Sequence, residues 1–502
     1  MKTFLRCVCC IFLLAVCSHI LPITALANEG TYGESITWKL EDGTLTISGT
    51  GWMPNIQYDG EYTPWYDQRE DITAIVVEPG IVHIGQKAFY GCMNVKSVTL
   101  PEGLASIGKN AFSHCSSLET ITIPEGVKGI AEQTFSNCTA LSSVTLPDSV
   151  VFIGECAFSF CESLRTISLP EKLHTLEAAA FEYCSGLEQI VLPPLIQKIE
   201  DYTFYECTSL ANVTLPEALK EIGEYAFHAC GKLTDPIFPS RLTLIDRAAF
   251  ELCHSLESIV LPDSVTVIGS DAFAHCRNLS SVTLSPNTIH ISIGAFDYCD
   301  KLLSITIPPS VESIGSLPAN LQQIHISDMA AWCRTDFILE GSNGLDHAAL
   351  YLNGELVTDL VLPEGITGIS AYAFAGYQHL QSVTIPEGVT SIGSCAFSNC
   401  ANLSSLSLPT SIKSIGTGAF HGCNNLTDLF YAGTQEQLLQ LRVYEDNQVL
   451  INNQWRLTPE NTLLSIWQQQ KVLILAELIL NIVVISGCFI LEHRQRKQFL
   501  RF

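Results

Sequence analysis

Residues 118–140, LETITIPEGVKGIAEQTFSNCTA, decide the fold of this chain. The stretch L-x-x-I-x-I alternates apolar and polar residues, which predicts a short strand with one buried face. Pro124 ends that strand. The next apolar pair, V-x-x-I, buries a second edge, and Phe135 and Cys138 add a ring and a thiol to the interior. One such unit cannot bury its own apolar residues, so copies of it must stack.

The unit recurs with a period of 23 residues. Its phenylalanines are Phe89, Phe112, Phe135, Phe158, Phe181, Phe204, Phe227, Phe250, Phe273 and Phe296, and the same position of the unit returns, again at intervals of 23, as Phe374, Phe397 and Phe420. A cysteine stands three residues after each of them, except that Tyr377 follows Phe374. The sequence therefore predicts a repeat solenoid. Each coil would contain one short parallel strand, a second short strand or turn, and a short helical corner.

The repeat is regular over 72–315 and 357–431 but is broken between them. The strand position moves by 19 residues from Leu302 to Leu321 and then by 36 residues to Val357. We interpret 316–356 as an irregular repeat that carries an island loop, 327–356, with a hairpin turning at Asn353-Gly354. A loop that interrupts a regular scaffold is a common place for function.

Both ends of the repeat leave the pattern and predict caps. Residues 28–71 contain ITWKLEDGTLTISG, whose alternation around Asp42-Gly43 predicts a hairpin. Residues 432–457 change to a helical spacing that would shield the last coil. A solenoid needs such terminal units to stay soluble.

The chain ends predict export and a membrane anchor. Residues 1–27 read as a cleaved signal peptide, with an uncleaved anchor as the alternative. After a spacer over 458–471, the apolar segment 472–491 is long enough for a single transmembrane helix. The basic tail 492–502 would then be cytoplasmic. We expect a single-pass protein of the cell membrane, with the N-terminus and the solenoid outside.

Two polar residues lie within the predicted membrane helix. Glu477 and Asn481 are four residues apart and therefore share one helix face. Intramembrane polar groups often face a partner helix, which predicts helix-mediated self-association. The alternative is that Glu477 extends to the outer headgroups.

The charge balance excludes one class of partner. The chain has 26 Lys and Arg against 51 Asp and Glu, for a net charge of -25. This balance argues against nucleic acid as a ligand. With 47% hydrophobic and only 15% charged residues, the chain is a folded protein and not an acidic disordered one.

The cysteines invite a disulfide or metal interpretation, which we reject in favour of buried free thiols. In a stacked ladder the equivalent side chains run parallel, and Tyr377 shows that the position accepts a packing group. The histidines lie scattered on different coils, whereas zinc needs converging ligands. We therefore expect no cofactor, and we expect no enzyme activity because no nucleophile has a base beside it in the pattern.

The outward row of the strands is the predicted binding surface. Most of this row is hydroxylated, but Val191, Ile237 and Val260 interrupt it and could form an apolar patch; the alternative is that Thr and Val simply suit exposed strands. The candidate ligand surface comprises Val191, Asp235, Ile237, Val260, Trp332 and Asp336.

The unit L-x-x-[IV]-x-[IL]-P-x-x-[VL]-x-x-I-G-x-x-A-F-x-x-C resembles the BspA-type leucine-rich repeat, found in bacterial and protist surface proteins. The resemblance covers about residues 72–431. It implies a curved right-handed coil and, for some relatives, adhesion to host matrix proteins or other cells. It implies no catalytic residue.

The predicted function is therefore a membrane-anchored, extracytoplasmic binding protein of the adhesion type, with a protein or glycan ligand. A wall-associated or receptor-like scaffold is the alternative. A less favoured one is a cell-wall hydrolase that uses carboxylates of the island, namely Asp328, Asp336, Glu340 and Asp346.

Overall fold

A computed structural model describes residues 27–56, 61–338 and 344–457. The chain divides into two compact units, Met1–Pro239 and Ser240–Phe502. The units contain about 16 turns of right-handed β-solenoid in all and few helices. The predicted repeat solenoid is confirmed.

In the first unit a hairpin cap precedes the regular coils. The cap strands are Glu29–Thr31, Ile36–Glu41, Thr44–Gly49 and Gly51–Trp52, and a 3-10 helix covers Tyr66–Gln68. The first strands of the coils are Ala74–Val77, Ser97–Thr99, Thr120–Thr122, Ser143–Thr145, Gln189–Val191 and Asn212–Thr214. The second strands are Ile81–Ile84, Ser106–Ile107, Gly129–Ile130, Phe152–Ile153, Thr175–Leu176, Lys198–Ile199 and Glu221–Ile222.

In the second unit the same alternation continues around the irregular repeat. The strands on the side of the first strands are Ser258–Val260, Ser281–Thr283, Ser304–Ile307, Gln323–Ile326, Ala349–Leu352, Glu355–Leu356, Asp359–Val361, Ser382–Thr384, Ser405–Leu408, Asp428–Tyr431 and Trp455–Leu457. The second strands are Leu244–Ile245, Val267–Ile268, His290–Ile291, Ser313–Ile314, Asp336–Phe337, Gly368–Ile369, Ser391–Ile392, Ser414–Ile415 and Arg442–Val443. The helices are Met329–Arg334, Gln435–Gln440 and Gln448–Asn452.

Strands of successive coils pair in parallel between residues 23 positions apart. Thr120 pairs with Ser143 in the first unit, and Ser258 pairs with Ser281 in the second. This register keeps the apolar residues on the inner face, and Ile121 and Ile259 are buried. The sheets therefore follow directly from the period of the sequence.

The expected helical corner is wrong: the corner consists of turns. In the corner around Phe112, Asn110 and His114 have φ of 54° and 62°, and such left-handed residues stop a helix. Successive backbone N–H groups donate alternately to the next coil and to a carbonyl of the same corner. The N–H of Phe112 donates to the carbonyl of Thr134 in the next coil at 3.0 Å, whereas that of Ser113 donates back to Asn110 at 3.2 Å.

The core of each regular coil is the phenylalanine and the cysteine. Neighbouring phenylalanine rings of the first unit stack with centroids 5.2 to 5.7 Å apart. In most of these coils the thiol can donate to the carbonyl of the phenylalanine one coil earlier, as Cys115 does to that of Phe89 at 3.3 Å. The ladder therefore joins coils through ring contacts and through weak S–H bonds.

In the second unit the irregular repeat interrupts the column of stacked phenylalanine rings, and the column begins again after it. Leu317, Trp332 and Cys333 fill its interior in place of a phenylalanine. Tyr377 then occupies the cysteine position, and its hydroxyl donates to the carbonyl of Val357 at 2.6 Å. The phenylalanine stack resumes from Phe374, whose ring lies 5.2 Å from that of Phe397.

Both predicted hairpins are present. Ile36–Glu41 pairs antiparallel with Thr44–Gly49, and Ala349–Leu352 pairs antiparallel with Glu355–Leu356. The turn residues Asp42 and Gly43 have φ of 48° and 76°, as a primed turn requires. The turn residues of the second hairpin, Asn353 and Gly354, also have positive φ, at 51° and 89°.

The end of the repeat combines short helices with a last strand. Gln435–Gln440 is a helix with a capping box, in which Thr434 and Gln437 bond each other's backbone. Trp455–Leu457 then pairs in parallel with Asp428–Tyr431. Trp455–Leu457 therefore extends the sheet by one strand, whereas the spacing of apolar residues in 432–457 predicted only helix.

The expected single-pass membrane localisation must be corrected. Across 27–56, 61–338 and 344–457 no helix is long and apolar enough to cross a bilayer. The α-helices of these ranges have five or six residues, whereas a span needs about 20. The predicted spacer, span and tail, 458–502, lie outside the described residues.

Candidate ligand surface

The outward strand face of the first unit carries a row of hydroxyls. Thr99, Thr122 and Thr145 are exposed and lie on three successive parallel strands. Adjacent parallel strands are about 4.8 Å apart. The row therefore offers hydroxyl donors and acceptors at a regular spacing.

Two of the predicted apolar residues stand on the same face of this unit. Val191 is 63% exposed and Ile237 is 88% exposed. Val191 pairs with Thr214, whose coil lies between the other two. The two apolar side chains are therefore separated by a hydroxyl residue along the row.

The coil that contains Ile237 departs from the regular strand. Asp235 is exposed, and no strand forms from it to Ile237, since Pro236 has no N–H to donate to a ladder. The coil still stacks, because the N–H of Thr234 donates to the carbonyl of Ala211 at 3.1 Å. The backbone irregularity thus coincides with the large apolar side chain that is most exposed among the described residues.

Val260, the third predicted apolar residue, belongs to the second unit. It is 65% exposed and pairs with Thr283. Farther along that unit, the rings of His325 and Tyr351 stack on adjacent strands with centroids 5.0 Å apart. The sequence did not indicate this aromatic pair, because the inserted island residues obscure the position of Tyr351 in the row.

The two predicted site residues of the island differ in exposure. Asp336 is exposed on a short strand that pairs with Ser313–Ile314. Trp332 is only 2% exposed, and its indole N–H donates to the carbonyl of Ala373 at 2.9 Å. Trp332 is therefore a core residue in this structure, and Asp336 alone faces solvent.

The carboxylates considered for hydrolysis have different surroundings. Asp328 caps the helix Met329–Arg334, because its Oδ1 accepts from the N–H groups of Ala330 and Ala331 at 2.8 and 3.0 Å. Asp346 is exposed and lies close beside Gly376. Glu340 lies outside the described residues.

The cysteines of the described ranges are free thiols, as expected. Burial raises the pKa of Cys184 to about 12 and that of the half-buried Cys156 to about 11. A thiol with so high a pKa is a poor nucleophile at neutral pH. In the part of the chain that the structure describes, no three His, Cys, Asp or Glu side chains converge on a metal position.

The predicted helix-partner residues, Glu477 and Asn481, lie outside the described residues. A different feature escaped the sequence analysis. Aromatic residues collect at the turn corners of the first unit, at Phe160, Tyr183, Tyr202, Tyr205, Tyr225 and His228. Aligning the units by their core phenylalanines would have revealed them.

Comparison with protein families finds one matching model, described as BspA type leucine rich repeat region. It matches in six copies, over residues 65–188, 128–257, 197–321 and 348–442. None of the curated protein sequences is similar to this chain.

Several solved structures are similar. A leucine-rich repeat protein from Bacteroides ovatus is 24% identical, with 85% of this chain and 99% of that chain covered and a TM-score of 0.43. A leucine rich cell surface protein from Faecalibacterium prausnitzii is 24% identical, with 82% and 97% covered and a TM-score of 0.32. A leucine rich repeat protein from T. pallidum is 27% identical, with 40% and 90% covered and a TM-score of 0.32.

Proposed function

This chain belongs to the family of BspA-type leucine-rich repeat proteins, and from that premise we propose that it is a binding scaffold whose outward strand surface holds a protein ligand. Leucine-rich-repeat solenoids are typically non-enzymatic binding scaffolds. The observation that carries the proposal is the exposed row of Thr99, Thr122 and Thr145 on successive strands.

The composition of the face supports a protein ligand. Protein interfaces combine hydrogen-bonding groups with a few apolar side chains that become fully buried. The hydroxyl row offers the first kind of group, and the exposed Val191 and Ile237 offer the second. Rows of hydroxyls also suit a glycan, but two branched aliphatic side chains on the same face favour a protein.

The geometry also supports adhesion-type binding over capture of a small molecule. The strands of successive coils present equivalent residues at one spacing, so contacts add up along the solenoid. Each contact can be weak while the sum is strong. A ligand that spans several coils should therefore lose affinity in steps as individual coils are altered.

The experiment combines arrays of purified proteins and of glycans, probed with the labelled fragment 28–457. The test variant carries Thr99→Arg, Thr122→Arg and Thr145→Arg, which place bulky charges on the face. We expect it to lose at least about tenfold in affinity for the captured protein. Thermal unfolding midpoints establish that both proteins are folded.

The matched control places arginine on the turns that follow the strands, with Glu102→Arg and Glu171→Arg. These side chains are exposed outside the strand face, so binding should be retained. Equal loss in both variants would contradict the proposal. Capture of glycans alone would replace the protein ligand with a glycan.

A further inference from the structure

The corner cluster of the first unit consists of six rings on four consecutive coils. Phe160 and Tyr183 stand two residues after their core phenylalanines, and Tyr205 and His228 stand one residue after theirs. Tyr202 and Tyr225 stand two residues before. In the two preceding coils these three positions carry Asn110, Ser113, His114, Gln133, Ser136 and Asn137.

The rings contact one another and form one surface. Centroids are 4.4 Å apart between Phe160 and Tyr183, and 5.4 Å apart between Tyr183 and Tyr205. Tyr205 continues to His228 at 4.8 Å and to Tyr202 at 5.5 Å. The surface is partly open to solvent, since Tyr202 is 38% exposed and the other five rings are half-buried.

Tyr225 completes the surface on the side of Tyr202. Their rings stack with centroids 5.1 Å apart. Both residues have left-handed backbone, with φ of 58° and 55°. A bulky residue is uncommon in that region, so the sequence places these rings at the corner despite a conformational cost.

The charged residues of the four corner segments have one sign. The corner segments ECAFSFC, AAAFEYC, DYTFYEC and EYAFHAC, which begin at residues 155, 178, 201 and 224, contain five acidic residues and neither lysine nor arginine. Burial and then the neighbouring Tyr183, Glu206 and Glu182 raise the pKa of Tyr205. Burial also raises the pKa of Glu182. The carboxylates of Glu182 and Glu206 therefore lie near the ring of Tyr205.

We propose that the corner cluster binds an arginine-containing segment of a protein partner. A guanidinium is planar and stacks on aromatic faces while its N–H groups bond carboxylates. Tyrosine hydroxyls supply further acceptors. The acidic rim attracts the cation, and the rings favour arginine over lysine because the ammonium group is compact and strongly hydrated.

The same combination of groups occurs within the chain itself. Arg456 bonds the carboxylate of Asp428 at 3.2 Å, and its guanidinium lies 5.5 Å from the ring centroid of Phe430. Arg69 likewise lies 4.1 Å from the ring centroid of Tyr66. Ring, carboxylate and guanidinium are therefore mutually compatible in this fold, and the corner cluster supplies the first two.

This surface differs from the strand face, since in each coil the corner follows the second strand. It goes beyond the proposed function and can be tested separately from it. The arginine substitutions at Thr99, Thr122 and Thr145 leave all six rings unchanged. If binding at one surface is disproved, the proposal for the other surface is therefore unaffected.

The test measures binding of a fluorescent hexa-arginine peptide to the full chain by anisotropy, with hexa-lysine as the comparison. The variants are Tyr202→Asn, Tyr225→Asn and their combination, because asparagine keeps the left-handed backbone while removing the ring. The matched control is Tyr372→Asn, which has φ of 62° at the equivalent position of the second unit. Its corner segment SAYAFAGY contains no acidic residue, in contrast to the five in the segments of the corner cluster, although Asp346 lies close beside Gly376.

We expect the double variant to lose about tenfold in affinity for hexa-arginine, and the control to stay within about twofold. Hexa-arginine should bind the unaltered chain more tightly than hexa-lysine. If the double variant unfolds, Glu182→Gln with Glu206→Gln serves in its place against Glu102→Gln with Glu171→Gln. Equal affinity for both peptides, or equal loss in test and control variants, would show only general attraction to a chain of charge -25 and would overturn the proposal.

Discussion

The indole N–H groups of Trp65 and Trp332 make equivalent bonds. Trp65 donates to the carbonyl of Ala88 at 3.0 Å, and Trp332 donates to that of Ala373 at 2.9 Å. Each alanine directly precedes a core phenylalanine. Each tryptophan therefore occupies the end of a phenylalanine column, once at the N-terminal cap and once at the irregular repeat. At this scale the island is a second starting point for the core.

Trp332→Phe tests this role. The change removes the indole donor and leaves the carbonyl of Ala373 buried without it, which costs about 1 to 3 kcal/mol of unfolding free energy. Trp65→Phe should cost a similar amount. Urea unfolding measures both, and Trp52→Phe is the control because Trp52 is 68% exposed. A Trp332→Phe protein as stable as the Trp52→Phe protein would contradict the assignment.

At the scale of the element, the corner is set by left-handed residues. Ala229 has φ of 57°, and the equivalent position of other coils is occupied by Gly91, Gly376 and Gly422. An L-residue in this region costs about 1 to 2 kcal/mol, whereas glycine costs about 0.5 to 1 kcal/mol in chain entropy. Ala229→Gly should therefore raise the unfolding free energy by up to about 1 kcal/mol.

The control lies in the same corner. Ala226 is buried and does not have a left-handed backbone. Ala226→Gly therefore removes a packed methyl group and raises the entropy of the unfolded chain, and both effects destabilise the fold. It should lower the unfolding free energy by about 1 kcal/mol. Thermal and urea unfolding of the two variants provide the comparison. Opposite signs support the turn geometry, and two losses of equal size would contradict it.

The same corner shows what the sequence could and could not predict. The period of 23 residues fixed the stacking, the parallel register and the buried phenylalanines, because each follows from which residues repeat. The turn conformation did not follow, since Asn110, Tyr225 and Ala229 share no side-chain property. Their backbone is imposed by the hydrogen bonds between coils, which no single unit contains.

The candidate site was predictable to a similar extent. Val191, Ile237 and Val260 are exposed, as their outward strand positions indicated. The burial of Trp332 was not foreseen, because an inserted segment has no register from which to infer which residues face inward. The corner cluster draws on three positions per coil across four coils, so no single row of equivalent residues reveals it.

At the scale of the whole molecule, the thiol ladder couples stability to alkaline pH. Burial raises the pKa of Cys138 and Cys184 from 9.0 to about 12, and it also raises the pKa of Cys115 and Cys207 well above the ordinary value. Unfolding exposes the thiols and returns these pKa values to their ordinary range. Below pH of about 9 both states keep the protons, so the stabilisation is complete. Above it, the unfolded chain releases protons that the native chain retains.

The unfolding free energy should therefore fall as pH rises from about 9 to about 12, by about 1.4 kcal/mol per pH unit for each such thiol. Thermal midpoints should be level from pH 7 to 8 and then decline steeply, with the buried Tyr32 and Tyr377 adding to the decline because their pKa values are also raised to about 12. The variant Cys138→Ala with Cys184→Ala separates the thiols from general base effects. It starts less stable because two buried groups are lost, yet its decline with pH should be shallower, since two titrating groups have been removed. Parallel declines in the variant and the unaltered chain would mean that the ladder does not control the alkaline transition.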